Sequence, residues 1–134
     1  MINRISITLV LAITVLAFLL PSFAEKRLDR RVRSTLLEVQ EALQNYHVDE
    51  ELYPIKTPMT GAELIIVLQE SGHLDSPPRN PWTGAPYSPD EAPTNDRIRY
   101  RTDENAETYT LEALRPDSDE SHHVLDSTEH PSLE

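Results

Sequence analysis

From Ile5 to Ala24 the chain carries no charged side chain, and at Glu25 that segment runs directly into a stretch whose apolar residues recur at helical spacing. Leu28, Val32, Thr35, Leu36, Val39, Leu43 and Tyr46 fall three and four residues apart and line one side of a helix, while Arg31, Arg33, Glu38 and Glu41 fall on the wet side. A greasy rod that turns amphipathic can hold a small globular head against its second half. Such a chain anchors and packs more readily than it catalyses.

The first 24 residues admit two readings. Arg4, the Ile5–Leu20 run and Ser22-Phe23-Ala24 supply the basic start, apolar run and small-x-small end of a secretory signal. Ile5–Ala24 also just reaches the length of about 20 residues that spans a bilayer, despite Ser6, Thr8 and Thr14. Flanking charge does not choose between them, because the basic cluster Lys26, Arg27, Arg30, Arg31 and Arg33 disfavours carrying that side across. Residues 1–24 are therefore expected to be a signal peptide or an N-terminal membrane anchor. The cluster could meet anionic lipid head groups, though a solvated helix face is the plainer expectation.

The helix is expected to run to about Asp49, where Asp49-Glu50-Glu51 and Tyr53-Pro54 stop it, since proline disfavours helical geometry in the residue before it. Thr60-Gly61-Ala62-Glu63 has capping-box spacing and opens a second, short helix ending near Gly72, a left-handed cap residue. Ser76 to Pro93 holds Pro77, Pro78, Pro81, Pro86, Pro89 and Pro93, which exclude a helix. Residues 97–101 and 108–114 alternate with period two around the turn residues 103–106, predicting a hairpin. Ile98 and Tyr100 share one face, as do Tyr109, Leu111 and Ala113. The fold class that follows is α+β: a long N-terminal helix packed on a small antiparallel sheet, a second short helix, and an acidic tail. From Asp103 onward Arg115 is the lone base among many acids, and residues 115–134, with little to bury, are expected to be disordered. The head is then 25–114.

Composition narrows the function. A formal charge of −11 sets the whole surface against nucleic acid, whose phosphates it would repel. With no cysteine among 134 residues there is neither a disulfide staple nor a thiolate metal site. Nucleophile-elbow, Walker and HExxH patterns are all missing, so an enzyme is not expected.

Other residues carry a resemblance. Pro21-Ser22-Phe23-Ala24-Glu25, then Leu36 through Leu43-Gln44-Asn45-Tyr46-His47-Val48-Asp49 and Tyr53-Pro54, looks like the N-terminal helix of type IV pilin-like proteins. Gly72-His73-Leu74 and Asn80-Pro81-Trp82-Thr83-Gly84-Ala85-Pro86-Tyr87 are similar to the major pseudopilin of type II secretion systems. Ile98-Arg99-Tyr100 and Tyr109-Thr110-Leu111 resemble that group's last strands. The likeness covers roughly residues 5–114. It implies a non-catalytic structural or accessory subunit whose first half-helix anchors and assembles. Its partners would be other pilin-like subunits or secretion-machinery proteins. The head would stand in the periplasm on an inner-membrane anchor, or be exported to the periplasm or cell surface. Pro21 would kink the helix, Leu36, Val39 and Leu43 would form the helix–sheet core with Tyr46, Tyr53 and Pro54 beside it, and Trp82 would clamp the loop framed by Pro81, Gly84 and Tyr87. The start departs from the family pattern: counted back from Pro21, the usual cleavage point falls at or before Met1, and the usual glutamate falls near Arg4. The contrasting expectation is an exported soluble binding module of the same fold.

Calcium is the one cofactor to weigh. Asp90, Asn95, Asp96 and Asp103 offer hard oxygen ligands near the hairpin entry, and some pseudopilins bind calcium there. Their spacing fits no fixed loop motif, and a wet acidic loop is the plainer expectation. His122, His123, Asp126 and His130 would share a face only if the tail were helical, and a solvated tail is expected instead. Pro78-Arg79-Asn80-Pro81 matches PxxP but reads better as a loop over the sheet. Trp82, Tyr87 and Tyr100 are expected in the core rather than in a ligand groove.

Overall fold

The computed structural model describes residues 4–56 and 58–128, with side-chain surroundings from Phe23 onward. It divides into two units, Met1–Arg31 and Val32–Glu134. The first is helical: α1 spans Arg4–Glu50 as one unbroken helix of 47 residues and supplies all of that unit's described structure. The expectations of a membrane segment at Ile5–Ala24 and of a kink at Pro21 fall, as far as residue 22, outside the described side chains. Among the described residues no helix is long and apolar enough to cross a membrane.

The second unit is α+β. The end of α1 is followed by β1 (Met59–Thr60), α2 (Gly61–Glu70), β2 (Ile98–Thr102), β3 (Tyr109–Leu114) and β4 (Ser121–Asp126). The strands form one antiparallel sheet in the order β1-β2-β3-β4. Register places Tyr100 opposite Leu111 and Ile98 opposite Ala113, so the alternating residues of both strands reach one face, as the period-two pattern predicts. Val32, Leu36, Val39, Ala42 and Leu43 of α1 are buried over that face. Thr35 Oγ1 donates to the Arg79 carbonyl (2.8 Å), and Gln40 Nε2 reaches the Asp126 carbonyl (3.4 Å). One side of the helix thus seats on the sheet and meets the proline-rich loop and β4.

The tail expectation is corrected between 121 and 126. Ser121–Asp126 is a strand, with Leu125 opposite Leu111 and His123 opposite Ala113, both half-buried. Its sequence has too little apolar surface to suggest burial; the strand answers the hydrogen-bonding edge of β3 instead. Arg97 holds the turn that makes this possible. Its guanidinium donates to the carbonyls of Arg115 and Ser118 and pairs with Asp119 at 3.3 Å. Residues 129–134, with His130, lie outside the described residues.

Both helix ends follow their sequence signals. Glu51, just past α1, adopts φ 64° while its amide bonds the His47 carbonyl, a left-handed cap made without glycine. Thr60 caps α2, its hydroxyl accepting from the Glu63 amide at 3.3 Å. Gly72 takes φ 80°, and the His73 amide returns to the Leu68 carbonyl at 2.8 Å.

Candidate functional site

A set of buried polar contacts surrounds the start of α2 and the loop 78–96. Helix N-termini carry orphan amides and partial positive charge, so they attract an anion. Asp96, only 3% exposed, supplies it from the far end of the proline-rich stretch: Oδ1 accepts from the Gly61 amide and Oδ2 from the Ala62 amide, each at 3.0 Å. The fit needs glycine at 61, because a Cβ there would stand 2.8 Å from Asp96 Oδ1 and 2.9 Å from Ile98 Cβ. Tyr87 lies over the same spot, its hydroxyl 3.4 Å from that Cβ position. Burial, followed by the nearby charges of Asp96 and Glu91, pushes the Tyr87 phenol pKa well above its ordinary value.

The motif segment closes on itself. Asn80 is fully buried; its Nδ2 donates to the Asn95 carbonyl at 2.9 Å and its Oδ1 accepts from the Trp82 amide at 2.9 Å. The Tyr87 amide donates to Pro78 O (3.0 Å), the Asn80 amide to Ala85 O (2.7 Å) and the Gly84 amide to Asn80 O (2.8 Å). Gly84 makes the last turn at φ 73°, a conformation costly for residues with a Cβ. Pro81 is buried and Trp82 half-buried, and among the described residues Trp82 pairs with no other ring. The PxxP stretch is part of this loop, with Pro78 and Asn80 buried, rather than a free ligand strand.

Tyr53 and Pro54 belong to a separate aromatic cluster. The Tyr53 ring meets Tyr109 edge-on at 4.7 Å and stacks with His47 at 4.5 Å; Tyr100 Oη donates to the Pro54 carbonyl at 2.9 Å. Burial raises the pKa of both Tyr53 and Tyr100. The Tyr53 amide donates to the carbonyl of Ala106, itself at φ 54° in the β2–β3 turn. Trp82, Tyr87 and Tyr100 therefore do not form one groove: Tyr100 joins the tyrosines near α1, and Tyr87 sits at α2.

The calcium candidates are dispersed over different tasks. Asp96 binds two helix amides. Asp103 Oδ1 accepts from the Glu107 and Thr108 amides at 2.8 and 2.9 Å, and these bonds, led by Thr108, lower its pKa. The Asp90 amide donates to the Ser88 hydroxyl, and the Asn95 carbonyl accepts from Asn80 Nδ2. Asp90, Asp96 and Asp103 do not converge within ligating distance of one another. His122 and His123, adjacent on β4, set their rings edge-to-face at 4.5 Å.

One arrangement escaped the sequence reading. Ser71 Oγ lies 2.8 Å from His73 Nδ1, and His73 Nε2 lies 2.7 Å from Asp49 Oδ2, with Tyr46 against the imidazole at 5.2 Å. The order hydroxyl–imidazole–carboxylate is that of a hydrolytic triad, but its surroundings differ from one. Ser71 Oγ donates to the Leu68 carbonyl, and the Gly72 and His73 amides already bond helix carbonyls, leaving them no free hydrogen to offer an oxyanion. The chain of bonds fastens the end of α2 to the end of α1. Polar residues at two helix ends, Asp49 and Ser71-Gly72-His73, were its sequence signal. No family model matches the chain, and no curated protein and no solved structure matches it.

Proposed function

We propose that the protein is a non-catalytic, pilin-like structural or accessory subunit of a type II secretion or type IV pilus-like assembly. In this reading Ile5–Ala24 inserts in the inner membrane or in a bundle of like helices, and the head stands in the periplasm. The observation that carries it is the seating of α1: Leu36, Val39 and Leu43 are fully buried over an antiparallel sheet while the same helix continues N-terminally to Arg4. A chain whose helix packs into the head from Val32 onward and whose sequence is apolar from Ile5 to Ala24 suits a packing role. The self-bonded Asn80–Tyr87 loop, tied to the rod through Thr35 and Arg79, agrees with the family resemblance of that motif.

Cell fractionation with N-terminal sequencing tests the proposal. A membrane-retained chain that keeps residues 5–24, and assembles with other pilin-like subunits, is the expected result. A soluble mature chain beginning at Glu25 would instead identify an exported binding module that has lost the assembly helix. A melting temperature raised by added calcium would mark the calcium-stabilised form of that second reading.

A further inference from the structure

Within the first unit, the described side chains of α1 sort their charges by face. At 3.6 residues per turn, Lys26, Arg27, Arg30 and Arg31 fall within an arc of about 140°, and Phe23, one turn earlier, lies inside it. Glu25, Leu28 and Asp29 fall on the opposite side. All four bases are exposed, and so is Phe23, at 58%. None of the four forms an ion pair among the described residues. The bases from Lys56 onward behave differently. Lys56, Arg97, Arg101 and Arg115 pair with Glu63, Asp119, Glu112 and Glu120, while Arg79 and Arg99 donate to the carbonyls of Gly84 and Asp96. Four neighbouring bases without an acid are out of character in a chain of net charge −11.

We infer that this basic face binds the anionic head groups of a lipid bilayer. The inference rests on the reading in which Ile5–Ala24 enters the membrane, and it names what that segment meets on leaving the hydrocarbon. Lys26 to Arg31 rises about 8 Å along the helix axis, against roughly 5–8 Å of head-group layer on each side of the bilayer core. Phe23 then stands at the hydrocarbon boundary, and the lysine and arginine stems lie along apolar chains while their charged ends reach phosphate. Arginine suits that task because its planar fork bonds two phosphate oxygens at once. From Glu38 onward acids far outnumber bases, so the same surface repels the rest of the chain and the attraction stays at this face.

Energy transfer to labelled lipid tests it on the full-length chain. The sequence has no cysteine, so Ser34→Cys, exposed and three residues past Arg31, gives a single position for a fluorescent donor. The labelled chain is reconstituted in vesicles of equal parts phosphatidylcholine and phosphatidylglycerol with a trace of either lipid carrying the acceptor. Transfer to phosphatidylglycerol is expected to exceed transfer to phosphatidylcholine about twofold, and to fall to parity in about 1 M salt, where the Debye length is about 3 Å. The variant Lys26→Gln/Arg27→Gln/Arg30→Gln/Arg31→Gln is expected to lose the preference yet float with the vesicles in a density gradient. Lys26→Glu/Arg30→Glu is expected to weaken it, and Lys56→Gln/Arg115→Gln to keep it. Parity in the wild type, with the chain still floating, would overturn the lipid contact and leave the anchor standing. A preference retained by the glutamine variant would overturn it equally. Parity together with an acidic protein held by the wild type alone, and released by salt, would assign the face to a protein instead. A chain left behind when the vesicles float would overturn the anchoring as well.

Discussion

Gly61 and Asp96 show how one missing side chain and one carboxylate can settle a junction. Gly61 has no room for a methyl group, and Asp96 satisfies two amides that α2 cannot satisfy itself. Gly61→Ala is expected to cost about 1–3 kcal/mol, because Ile98 Cβ is part of a paired strand and yields little. Asp96→Ala is expected to cost about 1–3 kcal/mol by leaving two buried amides without an acceptor. Urea denaturation of both variants, read as the midpoint at constant slope, checks these values. Thr60-Gly61-Ala62-Glu63 announced a helix start in the sequence. That the anion at this start would come from Asp96, 35 residues on, was not legible, because no local pattern encodes a contact made by loop closure. The sequence placed it in a wet acidic loop, with calcium as the lesser alternative, whereas it is buried and binds amides.

Among the elements, the β2–β3 hairpin followed its pattern and β4 did not. Alternation revealed the hairpin because its residues bury on one face only. Its turn is held by Asp103, whose carboxyl the Thr108 and Glu107 amides keep below the ordinary carboxylate value. The folded state therefore favours the ionised form. That stabilisation is complete above the ordinary value of about 3.9 and is lost as the pH falls through the lowered folded value. Wild type is expected to exceed Asp103→Ala in melting temperature at pH 6, with the gap closing as the pH falls below the ordinary carboxylate value and through the lowered folded one. Strand β4 was hidden because it lies at the sheet edge, has few apolar side chains and depends on Arg97 to shape the preceding turn. Arg97→Ala is expected to release it, seen as faster amide exchange at 121–126 with β2 still protected.

For the molecule as a whole, the decisive contact is helix on sheet. Leu43→Ala, at a fully buried position of α1, is expected to cost about 2–5 kcal/mol, the usual range for emptying a core leucine, and thermal unfolding measures it. Such a loss is large for a head this small, whose total stability is of order 5–10 kcal/mol. Asp49, Ser71 and His73 add a polar tie at its rim, joining helix end to helix end beside the Tyr46–His73 ring contact.

The sequence by itself determined the long amphipathic helix, the short capped helix, the proline-ruled loop and the one-sided hairpin, because each is written in local spacing: helical period, period two, or a backbone that proline and glycine restrict. Leu36, Val39 and Leu43 were legible as core for the same reason. Tertiary structure alone decided that Asp96 serves α2, that Tyr100 joins Tyr109 rather than Trp82, that His73 answers Asp49, and that an acidic tail supplies a strand. Those outcomes depend on which distant groups meet once the chain closes, and a polar side chain takes its role from the partner it finds there.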